Sequence, residues 1–590
     1  MYILGISCFY HDAAAVILRD GELIAAAEEE RFTRVKHDSG FPNNAVKFCL
    51  GMAGISGKDL QYVVFYEKPF LKFERILKTS LQTFPKSWRL FQEAMSVWMT
   101  DKLWIKSLIR DKVGCEYSRI LFSDHHLSHA ASAFYPSPFK EAAIITVDGV
   151  GEWATTTIGI GKGNQVRILK EIQFPHSLGL LYSAFTAFLG FQVNDGEYKV
   201  MGMAPYGEPK YLDEVNKLIK VNRDSSFSMD MDYFSYQYSD KKTFNEKFVR
   251  LFGKQRTPET HFFTEDTGFP IYFGGKPTNY AHLCQENKHY ADIAASIQMV
   301  TEEILLKLAS YAYHETGLKK LCVAGGVGYN SSANGKILTK SDFDEVFIQP
   351  AAGDSGGALG AALVVYHGML GNPRKFVMEH AYWGKGYSDK EVRETLRDNG
   401  IDYRYYLDDN ILLDRTVGDL LSGKVVGWFQ GRFEWGARAL GNRSILADPR
   451  SDKMKDLVNI KIKFREPFRP FAPVILEESV ADYFEFGDKA TKQYPSRFML
   501  WVLPYKPNGQ KVAAVNHMGT GRLQTIKEEW NPRYYQLVKR FNEATGVPIL
   551  LNTSFNLRGE PIVNSPQDAI NTFRKSGIDV LVMEHFRISK

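Results

Sequence analysis

Residues Ala142 to Ile172 read AAIITVDGVGEWATTTIGIGKGNQVRILKEI: an apolar run, a polar bend, and two further runs rich in Ile, Val and Thr. β-Branched residues suit a pleated, half-buried surface, so each run predicts a strand and the bends between them predict turns. The chain opens with the same layout. In MYILGISCFYHDAAAVILRDGELIAAAE, Met1 to Glu28, three strand-like runs are separated by the bend around His11 and by Asp20-Gly21, a strong hairpin-turn pair. Aligning Ser7 with Asp148 leaves five residues before AAAVI in the first unit and five before ATTTI in the second, and sets His11 opposite Glu152. Two such units predict a duplicated α/β architecture.

The remaining bulk properties narrow the class. At 590 residues the chain exceeds what one hydrophobic core supports, so several domains are expected. Its 73 basic and 68 acidic residues leave a net charge of +5, too weak a balance to imply a nucleic-acid partner. The five cysteines are scattered with no CxxC pair, which fits buried thiols in a reducing compartment. No uninterrupted apolar run is long enough to span a bilayer, and the N-terminus reads as a strand, so a cytoplasmic protein with no membrane partner is expected.

Between the hairpin units, Leu71 to Lys112 carries Trp88, Trp98 and Trp104 at helical spacing and predicts an inserted helical layer. Later, an amphipathic helix over Asp292 to His314 leads into KLCVAGGVGYN, where a strand delivers Gly325, Gly326 and Gly328 to a helix start. Glycines there let backbone approach a ligand, and a helix N-terminus favours an anion. PAAGDSGGALGAALVVY repeats the device around Asp354. Two glycine turns after a duplicated hairpin unit point to the nucleotide cleft of an actin-like (ASKHA-type) fold. Near Gly371 to Tyr387 the composition becomes loop-like, and Ser388 with Glu391 forms a capping box. The domains are therefore set at 1–375 and 376–590, the second also α/β.

Three polar, glycine-punctuated loops follow apolar strands in the second domain. FQGRFEWGARALGNRS supplies Arg432, Arg438 and Arg443; KIKFREPFRPFAP supplies Lys461, Lys463, Arg465 and Arg469; LLNTSFNLRGEP supplies Thr553, Ser554 and Asn556. Guanidinium groups bind oxyanions bidentately and a lysine adds a point charge, so these loops predict an anion site. In the first domain DHHLSHAASAF, Asp124 to Phe134, begins a helix capped by Ser123 or Asp124. His125 and His129, four apart, share a face, whereas His126 points elsewhere. An i, i+4 histidine pair can hold a transition metal or simply decorate a helix; Asp354 is the candidate third ligand. His11 is a candidate general base, or a hydrogen-bonded structural histidine.

Together these segments resemble the NodU/CmcH family of O-carbamoyltransferases, which includes tobramycin, cephem and nodulation-factor enzymes. The resemblance runs through HDAAAV, EEERFTRVKHD, HHLSHAASAF, VDGVGEW, GEYKVMGMAPYG, both glycine bends, GWFQGRFEWGARALGNRSILADPR, KFREPFRPFAP and LLNTSFNLRGEPIV. It implies an N-terminal half similar to the actin-like tRNA threonylcarbamoyl transferase subunit and a C-terminal half similar to YrdC proteins, whose K-x-R and S-x-N signatures stand here at Lys463, Arg465, Ser554 and Asn556. Two reactions are implied. Carbamoyl phosphate and ATP (with Mg2+) give carbamoyl-adenylate in the YrdC-like domain, at Arg438, Arg443, Lys463, Arg465, Ser554 and Asn556, with Lys463 and Arg465 catalytic. The carbamoyl group then passes to the hydroxyl of a small acceptor in the actin-like domain, with His11 catalytic. There Asp148, Gly149, Gly325, Gly326 and Asn330 would bind the adenylate, and His125, His129 and Asp354 would hold Fe2+ or another divalent transition metal. A homodimer is compatible with the resemblance. Departures from the family pattern at Glu434 to Ala437 and His517 to Gly519 bear on the pocket near Arg438.

Alternatives stay open at this level. A tRNA-modifying threonylcarbamoyl enzyme would need a broad basic face. A phosphotransferase of the actin-like fold leaves the K-x-R and S-x-N loops unused, and a nucleotide-binding scaffold would bind ATP without releasing pyrophosphate. The acceptor alcohol is not written in the motifs.

Overall fold

The computed structural model describes residues 1–100, 104–463 and 465–590. They form two compact units. The first comprises residues 1–26, 39–266 and 277–377; the second comprises 27–38, 267–276 and 378–590.

In the first unit, β1 (Tyr2–Ser7), β2 (Ala14–Arg19) and β3 (Glu22–Glu28) make a meander, and β4 (Tyr62–Phe65) and β5 (Ile120–Phe122) extend it in the order β3-β2-β1-β4-β5. Strands β1 and β2 are antiparallel with Ser7 opposite Ala14, while β4 and β5 run parallel to β1. Asp20 and Gly21 both have positive φ, 51° and 84°, the backbone a tight two-residue hairpin requires. The second sheet repeats this plan. Strands β6 (Glu141–Val147), β7 (Ala154–Lys162) and β8 (Gln165–Gln173) form the meander. After a small ribbon of β9 (Ile219–Val221) and β10 (Phe227–Met229), β11 (Lys320–Ala324) and β12 (Glu345–Phe347) add in parallel to β6. Its order, β12-β11-β6-β7-β8, is the mirror listing of the first, so the unit is a duplicated, actin-like α/β fold.

Helices behave largely as their periodicity predicts. The Asp292–His314 pattern lies inside a 37-residue helix, Tyr280–Thr316, that buries Ile293, Ile297, Val300, Ile304 and Leu308. The helical insertion consists of Pro69–Gln82, Trp88–Thr100 and Ile105–Val113. Small residues let the helix Asp354–Leu363 lie directly against its neighbours. A Cβ at Gly360 would sit 1.7 Å from the Ser128 carbonyl oxygen on the histidine-bearing helix, and one at Gly5 of β1 would sit 1.9 Å from the Ala358 oxygen.

The second unit is built on a nine-stranded mixed sheet ordered β13-β21-β20-β14-β15-β19-β16-β18-β17. Its central members are β14 (Val426–Phe429), β15 (Arg443–Ala447), β19 (Ile549–Ser554) and β16 (Ala472–Leu476). The others are β13 (Arg404–Tyr405), β17 (Trp501–Pro504), β18 (Thr520–Ile526), β20 (Val580–Met583) and β21 (Phe586–Ser589). The capping box at Ser388 and Glu391 starts the helix Asp389–Asp398. The main border falls between Val377 and Met378, two residues past the expected 375/376. The expected first domain was continuous, but residues 27–38 and 267–276 pack in the second unit. Hydrogen bonds supply the reason: Arg34 donates to the Ile562 and Pro561 carbonyls at 2.6 and 2.7 Å, and Tyr272 donates to the Arg465 carbonyl at 3.0 Å. No helix among the described residues is long and apolar enough to cross a membrane.

Candidate functional site

The bends at the ends of β1 and β6 and the starts of two helices bring the polar residues of the first unit together. His125 and His129 are buried on one face of the helix His125–Phe134. Neither Ser123 nor Asp124 caps that helix with its side chain, as the sequence suggested. Instead the Glu152 carboxylate, from the β6–β7 bend, accepts the His125 N–H at 3.0 Å, placing negative charge at the positive helix end. Asp124 pairs with Lys68.

The two imidazoles turn Nε2 inward, 3.0 Å apart. Asp148 Oδ2 lies 3.1 Å from His125 Nε2, and Asp354 Oδ1 lies 3.3 Å from His129 Nε2 and 3.6 Å from His125 Nε2. One donor atom from each of the four residues falls within 4.8 Å of the others, and all four side chains are buried. Both carboxylate oxygens of Asp354 are buried without a hydrogen-bond partner, an arrangement expensive to maintain unless a cation satisfies it. Two imidazoles and two carboxylates are a donor set suited to a divalent first-row metal, so these residues fit such an ion. His126 stands apart: it bonds Thr146 Oγ1 at 2.6 Å, and burial, then His125, push its pKa down to about 3.

His11 sits in the β1–β2 bend, with Nδ1 3.1 Å from Asp12 Oδ2 and Nε2 4.0 Å from Asp354 Oδ2. Burial lowers its pKa, but Asp354 and the Asp12 hydrogen bond outweigh that and hold it at about 9. At His129 the same contest, burial against Asp148 and Asp354, also ends at about 9. Burial would raise the Asp148 carboxyl; its hydrogen bond to His125 and the nearby His129 imidazole hold it well below the usual range.

Among the expected adenylate ligands, Asp148 belongs to the donor set above, and its Oδ1 also accepts the Gly326 N–H at 2.8 Å. Gly325 has φ 94°, and a Cβ there would lie 2.2 Å from the Val147 oxygen, so only glycine fits this turn. Gly149 lies in the same bend as Asp148. Asn330 caps the helix Ser331–Lys340 through Ala333 N–H and pairs with Gln298, which leaves one amide hydrogen for a ligand.

In the second unit, Lys463 and the Ser554–Asn556 loop meet. Lys463 Nζ donates to the Ser554 carbonyl at 2.6 Å, to Asn556 Oδ1 at 2.7 Å and to the Asn556 carbonyl at 2.9 Å. Ser554 Oγ bonds Asn556 Oδ1 at 2.7 Å. Burial, then the nearby Arg465 and Arg469, push the lysine pKa well below its ordinary value. Arg465 stacks 4.4 Å from the Phe471 ring centre and reaches Asn459 Oδ1 at 3.2 Å. Arg438 lies half-buried on the loop following Gly436.

Arg443 is a correction to the expected phosphate ligands. It is fully buried over the Phe429 ring, and its five N–H groups go to the carbonyls of Asn564, Gln430, Asn442, Lys385 and Gly431. With no donor left for an anion, it holds the loop's shape. Glu434, in the segment that departs from the family pattern, does similar work. Its Oε1 accepts the N–H groups of Leu440, Asn442 and Arg443.

Sequence reasoning did not single out Glu28, Arg31 and Arg34. Glu28 Oε1 accepts the Gly436 N–H and Arg31 donates to the Gly436 carbonyl, both at 2.8 Å. Their one visible signal is the density of charge in EEERFTRVKHD after an apolar strand.

Residues 2–363 match the family model for the carbamoyltransferase N-terminus and residues 417–590 that for the carbamoyltransferase C-terminus. The chain belongs to the carbamoyltransferase family and is an enzyme of that class. It is 45% identical to an uncharacterized protein of Synechocystis sp., over all of this chain (100%) and 97% of the other. It is 37% identical to the nodulation protein NolNO of Sinorhizobium fredii, over 99% of this chain and 79% of that one. It is also 32% identical to a 3'-hydroxymethylcephem-O-carbamoyltransferase of Amycolatopsis lactamdurans, over 49% of this chain and 52% of that one.

Proposed function

We propose that the enzyme is an ATP-dependent O-carbamoyltransferase acting in two steps. The observation that carries the reading is the convergence of His125, His129, Asp148 and Asp354 on one point, with His11 beside them.

In the first step the cationic group around Lys463 and Arg465 orients carbamoyl phosphate and ATP. Water cleaves carbamoyl phosphate to carbamate and phosphate; a carbamate oxygen then attacks the α-phosphorus of ATP, the bond to pyrophosphate breaks, and carbamoyl-adenylate forms. Lys463 exchanges one of its loop acceptors for an anionic oxygen, and the anion's charge offsets the repulsion from Arg465 and Arg469 that disfavours the charged lysine. In the second step the acceptor hydroxyl attacks the carbamoyl carbon, the bond to AMP breaks, and His11 Nε2 takes the hydroxyl proton. Of the carboxylates that raise His11, Asp354 and Asp148 belong to the ligand set and their charge is offset when a cation is held there, while Asp12 keeps its bond to Nδ1 and orients the ring. His125, His129, Asp148 and Asp354 would hold a divalent transition metal such as Fe2+, whose contribution is Lewis-acid stabilisation of the departing phosphate charge. The acceptor is a small hydroxylated molecule, the kind the name of the Amycolatopsis relative describes.

The test is a pair of variants. Lys463→Ala abolishes pyrophosphate release from ATP and carbamoyl phosphate. His11→Ala keeps that release but stops transfer, read as a gain of about 43 daltons (carbamoyl for hydrogen, a covalent change of the kind in) over a panel of hydroxylated metabolites. Failure of both variants at one step overturns the division of labour.

A further inference from the structure

The helix Pro69–Gln82 buries charge and leaves large apolar side chains exposed at both of its ends. Its buried positions include Lys72 and Arg75. Lys72 Nζ is 2.7 Å from Glu67 Oε2, and Arg75 donates to the Gly151 carbonyl at 3.0 Å. The opposite face presents Phe70 and Leu81, which eleven residues of helix bring to nearly the same angle, 71% and 68% exposed. Phe84 and Trp88, just beyond, are 65% and 50% exposed, with ring centres 6.4 Å apart. Phe73, between them on that face, packs against Trp98 with ring centres 5.4 Å apart, so the apolar face is covered in part by its own chain and left open at Phe70 and Leu81.

Charge says what covers the rest. Residues 68–112 carry ten Lys and Arg against four Asp and Glu, whereas the rest of the chain carries 63 against 64. The chain's whole positive excess therefore sits in this helical insertion, and Lys86 and Arg89 are exposed beside Phe84 and Trp88. A second copy would bring like charge against like charge. Nucleic acid would use the cations and the rings but not Leu81. Exposed Phe, Leu and Trp flanked by Lys and Arg fit the interface of an anionic lipid bilayer, where aromatic rings enter the headgroup layer and cations meet its charge.

We propose that Phe70, Leu81, Phe84 and Trp88, with Lys86 and Arg89, dock the enzyme peripherally on anionic membrane surfaces. The segment lies on the bilayer and does not cross it.

The experiment uses the full-length protein in co-sedimentation with phosphatidylcholine vesicles, with and without phosphatidylglycerol. Binding is expected only to the phosphatidylglycerol vesicles, and it should fall at high salt because surface charges are screened. Phe84→Ser with Trp88→Ser, and separately Lys86→Glu with Arg89→Glu, should each weaken binding at least about tenfold. Far-ultraviolet circular dichroism and melting temperature should stay unchanged, since these side chains are exposed. Absence of vesicle binding overturns the proposal, as does binding by either variant as tight as the parent's. So does self-association that the Phe84 and Trp88 variant abolishes, or oligonucleotide binding without vesicle binding.

Discussion

Glu28 and Gly436, 408 positions apart in the chain, are joined by a 2.8 Å hydrogen bond from the glycine N–H to a buried carboxylate. Arg31, three residues along, donates to the same glycine's carbonyl. A short charged strap thus holds the two peptide groups that flank the Gly436 Cα, in the loop that carries Arg438.

That carboxylate titrates near neutrality. Burial raises its pKa, Arg31 opposes, and the balance lies at about 7 against an ordinary 4.5. A raised folded-state value means the proton is bound more tightly in the native protein. The stability this contributes is complete below about pH 4.5 and is lost as pH climbs through 7. Glu28→Gln should therefore melt like the parent at pH 4 and be more stable at pH 8, by up to about 3 kcal/mol. Thermal midpoints of both proteins across that range decide it; parallel curves would contradict the assignment.

Replacing Arg443 should damage the fold and not substrate affinity as such. Arg443→Met leaves five carbonyls without their donor, and buried unsatisfied acceptors are costly, so a loss of about 3 kcal/mol or more is expected. Soluble yield and denaturant midpoint report it. A folded, equally stable variant with only a raised KM for carbamoyl phosphate would return Arg443 to the ligands.

The four-residue donor set makes a claim about metal content. His129→Ala or Asp354→Ala should weaken retention of a divalent transition metal by at least about tenfold. His126→Ala should leave it intact, because His126 faces Thr146. Asp148→Ala should behave as a ligand loss. Metal per chain, measured by emission spectrometry after gel filtration, separates these outcomes.

Gly360→Ala probes how the ligands are brought together. A methyl group 1.7 Å from the Ser128 oxygen forces the two helices apart, a strain of about 1–3 kcal/mol. Because His129 and Asp354 lie on these two helices, metal retention should fall with stability. Unchanged melting and metal content would show that the close approach is dispensable.

Much of this was legible in the sequence, for physical reasons. The paired hairpin units show a period-two pattern and a turn pair that only a left-handed backbone accepts, and both are local properties. The i, i+4 spacing put His125 and His129 on one face without help from tertiary structure. The K-x-R and S-x-N loops were found, and their meeting at Lys463 Nζ followed from the resemblance. Local reasoning stops at residues whose partners are remote. Arg443 looked like its neighbours until its five acceptors, contributed by several chain segments, were visible. Asp148 was placed in a cleft but not among metal donors, because nothing nearby in sequence shows that Asp354 shares its space. The inserted helical layer is legible from its spacing, but periodicity gives the faces of the helix at Pro69 and not which one is turned inward.

The strap 27–38 has a practical consequence for anyone who would dissect the enzyme. A gene cut at the Val377/Met378 border would strand Glu28, Arg31 and Arg34 on the wrong fragment. The C-terminal piece would then be produced with its arginine loop unclamped, while the N-terminal piece would trail a charged, unmatched ribbon. Half-proteins made that way would report on the loss of the ribbon as much as on the chemistry of either half, and co-expression of the two fragments is the minimal faithful division.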